Sequence, residues 1–110
     1  MQRDVVLRWI EQIARVVRHL LLGRGPADLA LARTHLEQAR GQLLGTLAGV
    51  VPRLDAASVA ALLHDPDRVL GLALLCDLEA SVAEAEGKAM EGAEQRRRAT
   101  ELRAAVQAPS

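Results

Sequence analysis

Three histidines and one cysteine are the side chains best suited to metal or nucleophilic chemistry in this chain. His19, His35 and His64 fall on separate predicted segments, and none has a partner at the spacing of a metal motif. Cys76 is the single cysteine, which excludes an internal disulfide and a thiolate zinc cluster. Because Cys76 lies in an apolar run, we interpret it as a buried small hydrophobic residue. We therefore predict no metal site and no cofactor.

The remaining polar motifs do not form a catalytic pattern either. Ser58 and Ser81 lack the flanking residues of a nucleophile elbow. Gly23-Arg24-Gly25 lacks the Lys-Ser/Thr ending of a phosphate loop, and we interpret it as a helix break. No two carboxylates stand out as an acid/base couple. We predict no catalytic residue and no enzyme; the alternative is an enzyme whose distant residues converge in a deep polar pocket.

The basic residues do not predict a nucleic-acid surface. The chain has 14 Lys and Arg against 14 Asp and Glu, whereas phosphate neutralisation favours a basic excess. Its one basic cluster, Arg96-Arg97-Arg98, would spread around a helix at about 100° per residue. No tyrosine or phenylalanine is available to stack a base. We interpret the cluster as solvated surface and expect no nucleic-acid partner.

Composition predicts an all-α fold. Half of the 110 residues are hydrophobic, yet Trp9 is the only aromatic residue. Leu and Ala dominate and favour helices, whereas strands draw on aromatic and β-branched residues. The length suits one small domain. We predict a single helical domain over residues 1–106 and a frayed tail over residues 107–110.

Apolar spacing and Gly or Pro breaks predict a small bundle of four main helices plus one short helix. The main helices are predicted over residues 2–22, 26–44, 66–86 and 88–106. Pro26 and Pro66 fit the first turns of two of them. A turn or short helical piece is expected over residues 45–54, and Asp55 can cap the short helix that follows.

The last two predicted helices form a hairpin. Ala80, Gly87, Gly92 and Ala99 stand where a tetratricopeptide-like hairpin places its small residues. Residues 69–76 are apolar on every side, which indicates a central packed helix. The last helix has a thin apolar stripe, so we expect it to be the most weakly held element.

The first predicted helix carries the clearest sign of a binding surface. Asp4 with Arg8 and Glu11 with Arg15 are spaced as i,i+4 ion pairs. The apolar arc of this helix spans roughly 200°, more than one buried face needs. The arc comprises Val5, Val6, Trp9, Ile10, Ile13, Val16, Val17, Leu20 and Leu21. Either the whole arc is core, or a partner covers part of it, at an interface centred on Trp9 and flanked by Arg8, Glu11 and Arg15.

These patterns favour a non-catalytic helical module that binds another protein or a second copy of itself. The alternative is peripheral association with a membrane through the amphipathic first helix. The charges at Arg8, Glu11, Arg15 and Arg18 interrupt any signal-peptide or transmembrane segment. A single cysteine fits a reducing compartment. We therefore predict a cytoplasmic protein.

The first twelve residues read M-Q-R-D-V-V-L-R-W-I-E-Q. This stretch resembles the opening of a family of short, uncharacterised bacterial proteins. These begin with Met, two variable residues, Asp, an apolar pair, then Arg and Ile-Glu-Gln, and continue as tetratricopeptide-like helical hairpins. Val5 stands where the pattern often has an aromatic residue. The resemblance implies a helical, cytoplasmic, bacterial protein and supplies no activity and no site residues.

Overall fold

The computed structural model describes residues 2–107, and of residues 2–4 it describes the backbone alone. This range contains five α-helices and no strand. The helices are α1 (Gln2–Gly23), α2 (Pro26–Leu44), α3 (Ala56–Leu63), α4 (Pro66–Ala85) and α5 (Ala89–Gln107). The predicted all-α bundle of four main helices and one short helix is confirmed. Gln107, which we assigned to the tail, is the last residue of α5, and residues 108–110 lie outside the described range.

Side-chain caps determine where α3 and α4 begin. The Asp55 carboxylate accepts a hydrogen bond from the Ser58 N–H at 2.7 Å, and hydrogen bonding by Ser58 lowers the pKa of Asp55. Asp65 accepts a hydrogen bond from the Asp67 N–H at 2.9 Å, and Pro66 occupies the first helical position. Both caps satisfy amides that have no partner within the helix.

The link between α1 and α2 departs from the expected glycine cap. Arg24, not a glycine, adopts the left-handed conformation, with φ 58°. Gly23 is still helical, and its role is to permit close approach. A Cβ atom on Gly23 would lie 2.2 Å from Oδ2 of Asp28 in the first turn of α2. A side chain at this position would require the Asp28 carboxylate to turn away.

The segment between α2 and α3 forms two 3-10 turns, Gly45–Gly49 and Val51–Arg53. Arg98 of α5 donates hydrogen bonds to the main-chain oxygens of Leu54 at 2.7 Å and Val51 at 3.0 Å. Our interpretation of Arg98 as solvated surface is therefore wrong. Its guanidinium holds the irregular 3-10 segment against α5. In such a segment, main-chain carbonyls can accept hydrogen bonds from donors outside the segment.

Helix α4 lies at the centre of the bundle and contacts each of the other four helices. Residues 69–76 confirm the expected central helix: six are buried, and Leu70 and Leu74 are half-buried. One connected cluster of buried side chains includes residues of all five helices. The aliphatic burial in this cluster is the main stabilising contribution to the fold.

The outer helices differ in their direction relative to α4. Helix α1 runs parallel to α4, since Ile10 lies against Gly71 near the start of both helices and Leu21 lies beside Ser81 further along. Helix α2 runs antiparallel to α4, since Arg68 reaches the main-chain oxygen of Leu43 at the end of α2. Helix α5 is antiparallel as well and completes the predicted hairpin with α4.

Small residues bring α4 and α5 close together. Ala80 and Ala99 are fully buried, and Gly92 is buried between the helices. A Cβ atom on Gly92 would lie 2.9 Å from Cγ of Glu84 and 3.2 Å from the main-chain oxygen of Ala80. The apolar stripe of α5 is as thin as predicted. The helix also packs through the close approach of its backbone to that of α4 at Gly92.

Two glycine-to-alanine substitutions should have different effects on stability. Gly41→Ala lies on an exposed helix position with no atom within 4 Å of the new Cβ, so it should raise the free energy of unfolding by about 1 kcal/mol through helix propensity. Gly92→Ala makes the same change at a crowded position and should be about 1–3 kcal/mol less stable than Gly41→Ala. Urea unfolding monitored by circular dichroism measures both, and equal stability would contradict the close packing of α4 and α5.

Candidate protein-binding face

The structure divides the apolar arc of α1 into a buried side and a half-exposed edge. Ile10 and Val17 are fully buried and Ala14 is 1 % exposed, so these residues point into the bundle. Trp9, Ile13 and Leu20 are half-buried and pack against the core cluster. Trp9 is therefore partly core and partly surface. Neither the description as core nor the description as interface covers the whole side chain.

An exposed apolar strip follows the outer edge of α1. Val5 is 65 % exposed and Val16 is 42 % exposed. At 100° per residue, Val5 and Val16 lie about 40° and 20° around the helix from Trp9, on the same side of it. Leu20 lies about 20° from Trp9 on the opposite side. Large apolar residues gathered along one edge are typical of contact surfaces.

Helix α2 extends this strip. Asp28 lies against Gly23 where the two antiparallel helices meet. Leu20 and Leu31 are each three residues from that contact, so they lie on the same level of the hairpin. Leu31 is 48 % exposed. We name the surface formed by Val5, Trp9, Val16, Leu20 and Leu31 the hairpin face.

Of the predicted flanking residues, Arg8 and Arg15 lie beside the hairpin face, about 100° and 120° around α1 from Trp9, whereas Glu11 lies about 160° from Trp9. Arg8, Glu11 and Arg15 are all exposed. Within the part of the chain that the structure describes, none of the three forms an ion pair or a side-chain hydrogen bond. The expected Glu11–Arg15 pair is therefore not formed, and the side chain of Asp4, the expected partner of Arg8, lies outside the described residues.

Two further arginines belong to the same region. Arg18 and Arg24 are exposed and also form no ion pair among the described residues. Residues 5–25 thus carry four arginines against one glutamate, a net charge of +3. Leu31 could not be assigned to the interface from the sequence, because only the contact between Asp28 and Gly23 brings this part of α2 beside α1.

Several charged residues elsewhere in the bundle are paired between helices. Nη2 of Arg33 lies 2.6 Å from Oε1 of Glu86. Arg96 donates to both carboxylate oxygens of Glu84, at 2.9 Å and 2.8 Å. The hydrogen bonds from these arginines lower the pKa of Glu86 and of Glu84. The cluster Arg96–Arg98 therefore forms no common basic patch, as its helical spacing predicts.

A polar cleft of about 480 Å³ lies between α2, α4, α5 and the second 3-10 turn. Arg40 forms an ion pair with Glu79 there, and its Nη2 lies 3.8 Å from Sγ of Cys76. Cys76 is 2 % exposed. Burial raises the pKa of the Cys76 thiol, although the positive charge of Arg40 opposes this effect. A buried, protonated thiol is a poor nucleophile. The polar character of the cleft therefore comes from its paired charges, Arg40 and Glu79.

The histidines do not assemble a metal site in the described part of the chain. Residues 5–107 contain no group of three His, Cys, Asp or Glu side chains that could hold an ion. His64 ends α3 in the left-handed conformation, with φ 61°. His19 is exposed and His35 is half-buried on a different helix. Over the same described residues, no helix is sufficiently long and apolar to cross a membrane.

Comparisons of the chain with protein families, with curated proteins and with solved structures found no match. The resemblance of the first twelve residues to a bacterial family therefore stays a prediction. What can be argued about function comes from the surface of the bundle itself.

The Arg33–Glu86 pair should make stability depend on pH. Because the pKa of Glu86 is lower in the folded than in the unfolded chain, its contribution is present above the unfolded value of about 4.3 and is lost as the pH falls through the folded value. Glu86→Gln should lower the free energy of unfolding at pH 7 by about 0.5–1 kcal/mol, and the difference from the parent should disappear in acid. Chemical denaturation at several pH values measures this.

Glu37→Gln is the matched control for that experiment. Glu37 is exposed on α2 and has no ion pair among the described residues. Its removal should leave the pH profile of stability unchanged. A profile for Glu86→Gln that parallels the parent down to pH 3 would contradict the lowered pKa of Glu86.

Proposed function

We propose that this protein is a non-catalytic helical module that binds another protein, or a second copy of itself, through the hairpin face. The proposal rests on one observation. A strip of half-exposed apolar side chains that includes the only aromatic residue, Trp9, lies beside arginines that have no partner among the described residues. Trp and Arg are the residue types most enriched at interface hot spots.

The physical mechanism is helix docking. A helix from the partner would lie along the hairpin face and remove Val5, Val16 and Leu31 from water, at about 25 cal/mol for each Å² of apolar surface. Trp9 and Leu20 are already partly held by the core, so they would lose little side-chain entropy on binding. The arginines at the border would fix the orientation of the partner through charge pairs.

Three related assignments belong to the same proposal. The α4–α5 hairpin is tetratricopeptide-like in the spacing of its small residues, the protein is bacterial, and it acts in the cytoplasm. The buried contact between Ala80, Gly92 and Ala99 supports the first. The first twelve residues support the second, and the single unpaired cysteine supports the third.

Photocrosslinking in the cells that produce the protein tests the binding face. A photoreactive benzoylphenylalanine replaces Val16 on the hairpin face or, as the control, Met90 on α5, which is 87 % exposed. We expect a discrete protein adduct from position 16 and none from position 90, because only the first position is covered by a partner. No adduct at position 16, or the same adducts at both positions, would overturn the proposed function.

A second prediction separates binding from folding. Val5→Asp changes a side chain that is 65 % exposed, so the free energy of unfolding should stay within about 0.5 kcal/mol of the parent. The charge should nevertheless abolish the adduct from position 16, since it places a solvated carboxylate in the apolar contact. Met90→Asp is the matched control and should leave the adduct intact. Loss of the adduct in both variants would argue against a specific face.

A further inference from the structure

The charge of α1 indicates what kind of partner the hairpin face can accept, an inference that rests on the proposed function. The exposed charges of residues 5–25 sum to +3 and none is paired within the described chain. In contrast, Glu79 and Glu84 of α4 and Glu86, which directly follows it, form ion pairs with arginines of α2 and α5. The bundle therefore neutralises its charge internally on one side and leaves positive charge available beside the hairpin face.

A second copy of the chain is a poor fit to this surface. In a symmetric dimer each copy would present the same patch to the other. The arginines that lie beside the patch, Arg8 and Arg15, would then approach those of the other copy and repel them, since the Debye length is about 8 Å at physiological salt. An acidic partner would instead gain attraction at Arg8 and Arg15 as it approached.

A lipid surface fits less well than a protein for a geometric reason. Helices that lie in a membrane interface bury their apolar side about 5–10 Å below the headgroups. On the hairpin face, Trp9 and Leu20 are already packed against the core, and Val16 is only 42 % exposed. Side chains held in this way can meet a complementary protein surface but cannot extend to that depth.

The shape of the face points to a helix as the bound element. Residues 2–107 contain no strand edge to which a peptide could add. The part of the hairpin face on α1 runs from Val5 to Leu20, about 22 Å at 1.5 Å per residue. A partner helix of about 15 residues matches this length. Its apolar side would need residues at i, i+3 or i+4, and i+7.

We propose that the hairpin face binds an acidic amphipathic helix of a different protein. The apolar stripe of that helix packs on Trp9, Val16 and Leu31. Carboxylates along one edge of the helix pair with Arg8 and Arg15 of α1. Both arginines are exposed, and at 100° per residue they lie on the side of the hairpin face formed by Val5 and Val16.

Charge reversal combined with photocrosslinking tests this partner chemistry. The double variant Arg8→Glu/Arg15→Glu, with the photoreactive side chain in place of Val16, should lower the adduct yield about tenfold or more, because two attractions become repulsions. Arg53→Glu/Arg97→Glu makes the same change in net charge at two exposed arginines of other segments and should leave the yield unchanged. Circular dichroism confirms that each variant remains folded.

Mass spectrometry of the crosslinked peptide from the parent supplies the second readout. We expect a segment of a different protein with an acidic excess and helical apolar spacing. An adduct of twice the 11.8 kDa chain mass, a lipid adduct, a segment without acidic excess, or an adduct that survives reversal of Arg8 and Arg15 would each overturn this inference. A protein adduct, self or other, that survives charge reversal leaves the proposed function standing, whereas the absence of any position-specific adduct removes both.

Discussion

The burial of α4 on almost every side is the constraint on which the rest of the bundle depends. A helix with no solvated face must be covered all round, and α1, α2, α3 and α5 each cover part of it. Small residues on α4 set how closely its neighbours approach, with Gly71 facing α1 and α2 and Ala80 facing α5. The surface of the bundle is therefore formed mainly by the sides of the outer helices that face away from α4.

Those outward sides differ between the two ends of the sequence. Helix α5 has little apolar surface, and it is held by close backbone contact together with Arg96 and Arg98, which reach across to α4 and to the 3-10 segment. Helix α1 has more apolar surface than α4 and α2 can cover, so Val5 and Val16 stay in contact with water. Ion pairs between helices are thus found on the α5 side of the molecule, whereas the exposed charges of α1 have no ion-pair partner among the described residues.

The elements could be predicted from the sequence because their signals are local. Pro26 begins α2 and Asp55 caps α3 within a few residues of where they stand in the chain. The candidate site could be predicted only in part. The helical period identifies the apolar arc around Trp9, but it cannot say which neighbour covers which side of the arc. The contributions of Leu31 and Arg98 depend on contacts between distant segments, which spacing along one helix does not encode.

The parallel packing of α1 against α4 has a consequence for how the chain acquires its structure. Ile10 and Gly71 meet across 61 positions of sequence, so ribosomal synthesis at about 5–20 residues per second places about 3–12 s between them. During that interval the inward side of α1 can pair only with α2. The packing of α1 is thus completed by a helix that is translated later, whereas α4 and α5, joined by a short loop, can associate as soon as both have emerged.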